Sequence, residues 1–367
     1  MKILVASDIH GCFTAFEKLI TIFENEKCGL LILCGDYLNH GPRNAIPDGY
    51  DTKKTAALLN QYKSKILSVR GNCDSEVDQM MLEFPVRSES AQLVISGSES
   101  WGKAEFSMND KPSGRIFVHH GHLFTEEQIK TLLPQGTLII SGHTHVPVLK
   151  YEDGYIFMNP SSISIPKTDD GPCYGMIEAN SAGINRVSIF KMDGSGLQYL
   201  EWSDLYRSDG TALGKTKLRQ SDEIPGALHL VSEIVTVDKH NNILVTKRAA
   251  EKDTFPGFWE ITGGSCLSGE TETSGAVREI REETGISVSE SNLVHVQSAV
   301  TEHALCNLYI NKMPLGKDDI KITLQKGETE EYKWLSKKEF ETLFNSENFC
   351  PAIQKRYTAK EILAKID

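Results

Sequence analysis

The chain is most informative at first through what it lacks. No stretch comes near the roughly 18 consecutive apolar residues that a membrane-spanning helix needs, so no membrane role is expected. Only a short apolar run precedes Asp8, which does not read as a secretory signal. The eight cysteines (Cys12, Cys28, Cys34, Cys73, Cys173, Cys266, Cys306 and Cys350) include no CxxC pair. That spacing excludes a zinc ribbon and is too sparse for a small disulfide scaffold, so reduced thiols and a cytoplasmic location are expected. Positive charge is also scarce: Lys+Arg 39 against Asp+Glu 50 leaves a net charge of −11. A duplex nucleic-acid binder needs a basic face, and none is indicated. Small phosphorylated ligands remain open, because clustered carboxylates bind cations and cations bind phosphate. Nor is there an internal repeat or a low-complexity tract. Oligomeric state is not legible.

What is present looks like a folded protein of more than one domain. Hydrophobic residues make up 40% and charged residues 24% of 367, ordinary globular values, and at about 150 residues per domain the length suggests two or three. Up to about residue 190, short apolar runs at 3–6, 30–34, 66–69, 116–118, 137–140 and 155–158 alternate with helical patterns such as 13–24. Nearly continuous Val/Ile/Leu runs suit strands buried on both faces, and strand–helix alternation predicts an α/β domain with a largely parallel sheet. Residues 192–196, Met-Asp-Gly-Ser-Gly, have a flexible-linker composition. A boundary near 195 is therefore expected, dividing the chain into 1–195 and 196–367. Beyond it, 231–237 and 243–246 read as a hairpin. A helix over about 271–283 follows, stopped by Gly285.

Nearly every buried strand of the first half runs into a metal-competent residue: Asp8 and His10, Gly35-Asp36, Gly71-Asn72, His119-His120-Gly121-His122 and Gly142-His143-Thr144-His145. In α/β sheets ligands gather beyond the carboxyl ends of strands. Mixed Asp, Asn and His donors suit a pair of transition-metal ions. A lone Asp-x-His or His-x-His usually caps a strand or bonds at a surface; five such pieces in consistent order do not arise readily by accident.

These residues, with Gly35-Asp-Tyr-Leu-Asn-His-Gly-Pro-Arg43 and Val69-Arg-Gly-Asn-Cys-Asp-Ser-Glu-Val-Asp-Gln79, resemble the calcineurin-like metallophosphoesterases, and more closely their small YfcE-like bacterial phosphodiesterases. The resemblance spans 1 to about 180. It implies a two-sheet sandwich flanked by helices. It implies that Asp8, His10, Asp36 and His145 hold one ion, while Asn72, His120, His143 and the shared Asp36 hold another. The His-Gly-His spacing of the family selects His120 over His119. Manganese is the favoured metal, with zinc, iron or nickel as alternatives. The implied chemistry is in-line attack of a metal-bridging hydroxide on a phosphodiester. Asn39, His40 and Arg43 are candidate phosphate contacts, although a solvated loop is an equal reading of Arg43. Much of the larger family has His directly after the metal-bound Asn, where it can protonate the leaving group. Here that residue is Cys73, a poor general acid for an alkoxide. Good leaving groups, or another donor such as His122, would then be required. An insertion from about Ser96 to Ser113 has no assigned role and reads as a lid or a loop.

On the second-half helix, Glu279, Glu282 and Glu283 lie at i, i+3 and i+4, hence on one face. Three adjacent carboxylates repel one another unless a cation neutralises them, and a hard oxygen cluster prefers Mg²⁺ or Mn²⁺. A solvated acidic face is the commonest fate of such a run. The full spacing argues otherwise, because Gly264, Glu270, Arg278, Glu279, Ile280, Glu282, Glu283, Gly285 and Ile286 match every position of the Nudix box. A chance match is on the order of one in a million. The resemblance to Nudix hydrolases extends over about 200–345. It implies an α/β/α sandwich that hydrolyses nucleoside diphosphate-linked substrates. It implies that Glu279, Glu282, Glu283 and the Gly264 carbonyl bind the metal while Arg278 pairs with Glu270. Glu328 and Glu331 are candidates for a further acid, with a polar turn as the commoner role for each; Trp259 is expected in the core. Isopentenyl-diphosphate isomerase shares this fold and the Pro-Gly-x-Trp-Glu stretch, but its catalytic Cys in a Ser-His-Pro context is missing here. Together the two constellations predict a bifunctional hydrolase acting on small phosphorylated substrates. The alternative is a Nudix hydrolase whose N-terminal domain serves as a binding or regulatory scaffold.

Overall fold

The computed structural model describes residues 1–95, 107, 109–181, 183–252 and 254–366. Most of the expected insertion, 96–106 and 108, lies outside the described residues. The chain divides into two compact units: Met1–Trp202 with Lys217–Ser221, and Ser203–Thr216 with Asp222–Asp367.

The first unit contains β1 (Lys2–Ala6), α1 (Phe13–Asn25), β2 (Leu30–Leu33), α2 (Thr52–Gln61), β3 (Ile66–Ser68), α3 (Glu76–Met81), β4 (Ser90–Val94), β5 (Arg115–His119), α4 (Glu126–Leu132), β6 (Leu138–Ile140), β7 (Pro147–Glu152), β8 (Tyr155–Pro160), β9 (Cys173–Asn180) and β10 (Gly183–Lys191). Strands β1, β2 and β3 pair in parallel, and β9 and then β10 continue that sheet antiparallel. A second sheet has the order β4-β5-β6-β8-β7, parallel through β5, β6 and β8 and antiparallel at both edges. Side chains from both sheets (Ile3, Val5 and Ile32 from one, Val118, Ile140 and Met158 from the other) form one buried core. A second core lies where Phe16, Leu19 and Phe23 of α1 and Leu59 of α2 cover the first sheet, and a third where Ile129 of α4 meets Phe117 and Phe157. The result is a two-sheet sandwich flanked by helices. The single, largely parallel sheet suggested by strand–helix alternation is thus two sheets, the first parallel at its β3 end and the second at its centre.

Strands β11 (Gly196–Tyr206) and β12 (Ala212–Leu218) carry the chain from one unit into the other. The segment 192–196, whose composition suggested a linker, is instead the turn of the β10–β11 hairpin, with the Gly194 N–H on the Lys191 carbonyl and the Lys191 N–H on that of Ser195. Gly and Asp favour a tight turn as much as a free linker. The division of the chain accordingly falls a few residues later, after Trp202.

The second unit adds β13 (Leu228–Val237), β14 (Ile243–Arg248), β15 (Trp259–Glu260), β16 (Thr262–Ser265), α5 (Glu272–Thr284), β17 (Leu293–Val300), β18 (Ala304–Lys312), β19 (Thr329–Leu335), α6 (Lys337–Phe344), α7 (Pro351–Gln354) and α8 (Ala359–Leu363). Strand β13 runs parallel to β18 and antiparallel to β14 and β16. Successive β13 residues point to opposite faces. Ile234 meets Ala276 and Ile280 of α5, whereas Val235 and Val237 meet Phe340, Phe344 and Ile362 on the other side. This is an α/β/α sandwich. Helix α5 begins at a Thr271 capping box and ends on Gly285, whose φ of 72° closes it in the left-handed region.

Phe16→Ala removes a fully buried ring between α1 and the first sheet. It is expected to destabilise the first unit by about 3–5 kcal/mol, read as a lower urea midpoint for that unit. An unchanged midpoint would contradict this packing.

Candidate active sites

In the first unit the strand ends deliver Asp8, His10, Asp36, His120 and His145 to one place, and all five are buried. Three of the imidazoles are oriented in the same way. The Nδ1–H of His10 donates to the Asn39 carbonyl (2.7 Å), that of His120 to the Cys34 carbonyl (2.6 Å) and that of His145 to the Ile165 carbonyl (2.7 Å). A carbonyl only accepts, so each ring carries its proton on Nδ1 and turns the Nε2 lone pair inward.

Those lone pairs converge on oxygens that are also acceptors. Nε2 of His145 is 3.1 Å and Nε2 of His10 3.6 Å from Asp8 Oδ1, and the two nitrogens are 3.3 Å apart. Nε2 of His120 is 3.5 Å from Asp36 Oδ2 and 3.0 Å from Asn72 Oδ1, which also lies 2.7 Å from His143 Nδ1. Asp36 Oδ2 stands 3.7 Å from His10, between the two groups. Asp8 Oδ1 is buried without a hydrogen-bond partner among the described residues. Electron pairs facing one another around an orphaned carboxylate oxygen make a place for positive charge, and divalent cations fit this donor set. The local electrostatics agree. Burial alone would lower His120, yet its contact with Asp36 and the Asp8 charge push it up to about 9. Burial would raise Asp8, but the His10 and His145 rings hold it well below the usual carboxylate range.

The backbone is bent to achieve this. Asp8, His10, Asp36, His143 and His145 all have φ between 49° and 69°. That region is unfavourable for most L-residues, by about 1–3 kcal/mol each. Asp74 buttons two of the loops together. Its carboxylate accepts N–H bonds from Asp36 (2.9 Å), Tyr37 (2.9 Å) and Gly71 (2.6 Å), while burial and the Asp36 charge push it up to about 7. The Cys73 N–H donates to Asp36 Oδ1 at 2.8 Å. On the other side, Asp8 Oδ2 accepts from Ser7 Oγ (2.5 Å) and the His143 N–H (3.0 Å).

A cleft of about 760 Å³ opens over these residues, lined by His10, Asp36, Asn72, Cys73, His143 and His145 and rimmed by Asn39, Arg43, Asn44 and Lys167. Arg43 is exposed there, as the sequence suggested in one of two readings. His40 does not line the cleft; its ring stands edge-on to Tyr50, with centroids 5.6 Å apart. His122 lies beside His120 and His143, and burial together with the neighbouring His120 charge lowers it. Asp74 and Lys167 had no assigned part in the sequence reading. Asp74 belongs to the 69–79 motif, whereas Lys167 belongs to no pattern and reaches the rim because its N–H bonds the His145 carbonyl (3.0 Å).

In the second unit α5 presents its glutamates beside β16. The Glu279 carboxylate lies so close to Gly264 that a Cβ there would meet its Oε1 at 2.4 Å. Arg278 organises the loop and helix together. It binds Glu270 through Nε (2.8 Å) and Nη2 (3.0 Å), the Ser265 carbonyl (2.9 Å), Glu279 (2.8 Å) and Glu282 (3.3 Å). Glu283 is buried, and its Oε2 has no hydrogen-bond partner among the described residues. Burial first, then the charges of Glu260, Glu279 and Glu328, push it well above the usual carboxylate range. An orphaned buried carboxylate among other carboxylates also fits a cation. Of the two further acids expected, Glu328 contributes to this field and pairs with Lys252, while Glu331 is exposed and 3.3 Å from Lys333. Trp259 packs in the core beneath α6–α8. Glu260, next to it, had no role in the sequence reading; burial pushes it up to about 7 despite Arg248.

Two protein families match the chain. Residues 1–182 match the calcineurin-like phosphoesterase superfamily domain, and residues 228–353 match the NUDIX domain. Phosphodiesterase YfcE of Escherichia coli K12 is 40% identical over 178 residues, covering 48% of this chain and 88% of the relative. An uncharacterized Nudix hydrolase of Listeria monocytogenes, lmo0368, is 32% identical over 152 residues, covering 41% of this chain and 88% of its own. The solved structure of YfcE, a phosphoesterase from E. coli, is 37% identical, with a TM-score of 0.48, covering 55% of this chain and 99% of that one.

A Cβ at Gly142 would stand 1.8 Å from Ser7 Oγ and 2.8 Å from Asp8 Oδ2. Gly142→Ala is therefore expected to displace Asp8 and weaken divalent-ion binding by roughly 10–100-fold in a calorimetric titration, with the circular dichroism spectrum retained. Undiminished ion binding would contradict the role given to Asp8.

Proposed function

This chain belongs to the calcineurin-like phosphoesterases through its first half and to the Nudix family through its second, and from that premise we propose a two-headed hydrolase: a dinuclear phosphodiesterase joined to a Mg²⁺- or Mn²⁺-dependent pyrophosphohydrolase of nucleoside diphosphate derivatives. The observation that carries the first activity is the convergence of inward Nε2 lone pairs on Asp8 and Asp36. Asp8, His10 and His145 would hold one ion, and Asn72, His120 and His143 the other, with Asp36 shared. Mixed nitrogen and oxygen donors favour Mn²⁺, with zinc, iron or nickel as alternatives. When bound, such a pair supplies an activated water nucleophile at neutral pH and neutralises phosphoryl oxygens.

The residues around that centre set the rest of the chemistry. Arg43 and Lys167 at the cleft rim would hold the substrate phosphate, and Asn39 and Asn44 beside them offer neutral polar groups. Among the described residues, no side chain at the cleft is well suited to protonate an alkoxide. Burial and the Asp36 charge push the Cys73 thiol up to about 12, and burial with the His120 charge lowers His122. Diesters with good leaving groups are therefore the favoured substrates. In the second unit Glu279, Glu282, Glu283 and the Gly264 carbonyl would hold the hard cation, while the Arg278–Glu270 pair fixes the approach of loop to helix. Small phosphorylated substrates, rather than duplex nucleic acid, agree with the net charge of −11. The eight free cysteines agree with a cytoplasmic location.

The two heads should be separable. Asp36→Asn is expected to lower hydrolysis of bis(p-nitrophenyl) phosphate by at least about 100-fold while sparing release of products from nucleoside diphosphate derivatives. Glu282→Gln should do the reverse. If one change silences both activities, independent sites are the wrong picture; if metal-loaded wild type turns over no diester, the first unit is a scaffold.

Cys73→Ala provides a second check. Loss of a working general acid would cost about 10²–10⁴-fold, so a change below about tenfold in kcat for the same diester is expected. A larger loss would make the thiol a participant.

A further inference from the structure

Strand β13 pairs antiparallel with β16 at Val231–Ile234 and with β11 at Leu228 and His229. The chain leaving β16 therefore meets β11, and three hydrogen bonds join the two. Ser203 Oγ donates to the Cys266 carbonyl at 2.9 Å. The two oxygens of the Asp204 carboxylate accept from Ser268 Oγ (2.5 Å) and from the Gly269 N–H (2.7 Å). Both serines are buried.

These bonds fall on the turn that delivers Glu270. Residues 267–270 close through the Glu270 N–H on the Leu267 carbonyl (2.9 Å), and Gly269 sits at the third position with a φ of 79°, which favours glycine. The Gly269 N–H takes no part in closing the turn, and Asp204 is its acceptor. Glu270 in turn accepts from the Leu267 N–H (2.8 Å) and from Arg278 through Nε (2.8 Å) and Nη2 (3.0 Å). Arg278 then meets Glu279 (2.8 Å) and Glu282 (3.3 Å). A continuous series of bonds thus runs from β11 to the glutamates of α5.

We propose that Asp204, which lies outside the Nudix box and outside the matched residues 228–353, is a positioning residue for the C-terminal head. By fixing the 267–270 turn it sets Glu270, Glu270 sets Arg278, and Arg278 sets the carboxylates of Glu279 and Glu282. The inference rests on the reading of this unit as a metal-dependent Nudix hydrolase. The part played by Asp204 is geometric rather than electrostatic. An Asn side chain could accept from the Gly269 N–H through Oδ1 and donate to Ser268 Oγ through Nδ2, whereas Ala could do neither.

The test is calorimetric titration of the full chain with Mn²⁺. Glu282→Gln identifies the C-terminal ion by its loss, and the ions of the first unit are common to every variant. Asp204→Ala is expected to weaken the C-terminal Mn²⁺ by about tenfold or more, with the circular dichroism spectrum retained. Asp204→Asn is expected to stay within about threefold of wild type, less than a typical hydrogen bond contributes. Unchanged Mn²⁺ affinity in Asp204→Ala overturns the proposal, and so does an equal loss in Asp204→Ala and Asp204→Asn, which would make the charge of Asp204 the cause. If Asp204→Ala does not fold, Ser268→Ala removes one of the two bonds alone. A loss of about two- to tenfold is expected there, and unchanged affinity counts against the proposal. Loss of an ion in Glu282→Gln with none of these effects sinks this inference alone; no loss in Glu282→Gln sinks the metal-dependent reading as well.

Discussion

The first unit is organised around electron pairs that have nothing to donate to them. Three imidazoles give their Nδ1 protons to backbone carbonyls, and their Nε2 atoms then point at carboxylate and amide oxygens. In a buried place such an arrangement is stable only with positive charge at its centre. The carboxyl ends of the parallel strands bring the loops together, Asp74 ties two of those loops to each other, and Ser7 and the His143 N–H hold the far side of Asp8 so that Oδ1 alone faces inward. Each of these serves to aim acceptors at one point.

The second unit meets the same problem with different means. There the neutralising group is partly built in, because Arg278 reaches Glu270, Glu279, Glu282 and the Ser265 carbonyl at once. The loop before α5 and the helix itself are thereby held in one geometry without an ion. What Arg278 does not reach is Glu283, and the unbalanced charge collects there. A first site that mixes imidazoles with carboxylates and a second built from carboxylates and a guanidinium are suited to different cations, softer in the one and harder in the other.

Much of this could be read from residues in order. Strands β1, β2, β3, β5, β6 and β8 coincide with apolar runs because both of their faces are covered, and α5 announces itself through its spacing and its Gly285 stop. The antiparallel strands β9 and β10 were harder. They mix polar residues such as Glu178, Asn185 and Ser188 into the sheet and so lack a continuous run. The turn at 192–196 was mistaken for a linker since both want glycine and small polar residues. Within the sites, donor identity was legible but surroundings were not. Lys167 and Glu260 acquire their positions only through tertiary pairing, and His40 leaves the cleft for Tyr50 because ring packing decides where a loop side chain goes.

The left-handed backbone at Asp8, His10, Asp36, His143 and His145 has a bearing on how such a centre can vary. Asp, Asn and His are the non-glycine residues that accept this conformation most readily. They are also the residues whose short polar side chains can serve as ligands. Glycine would satisfy the main chain and offer no side-chain donor, while Glu or Cys would offer a donor atom but accept the left-handed backbone less readily. Two independent filters, one conformational and one chemical, thus admit the same three residue types, and exchanges within that set are the ones that would disturb the backbone least at these five positions.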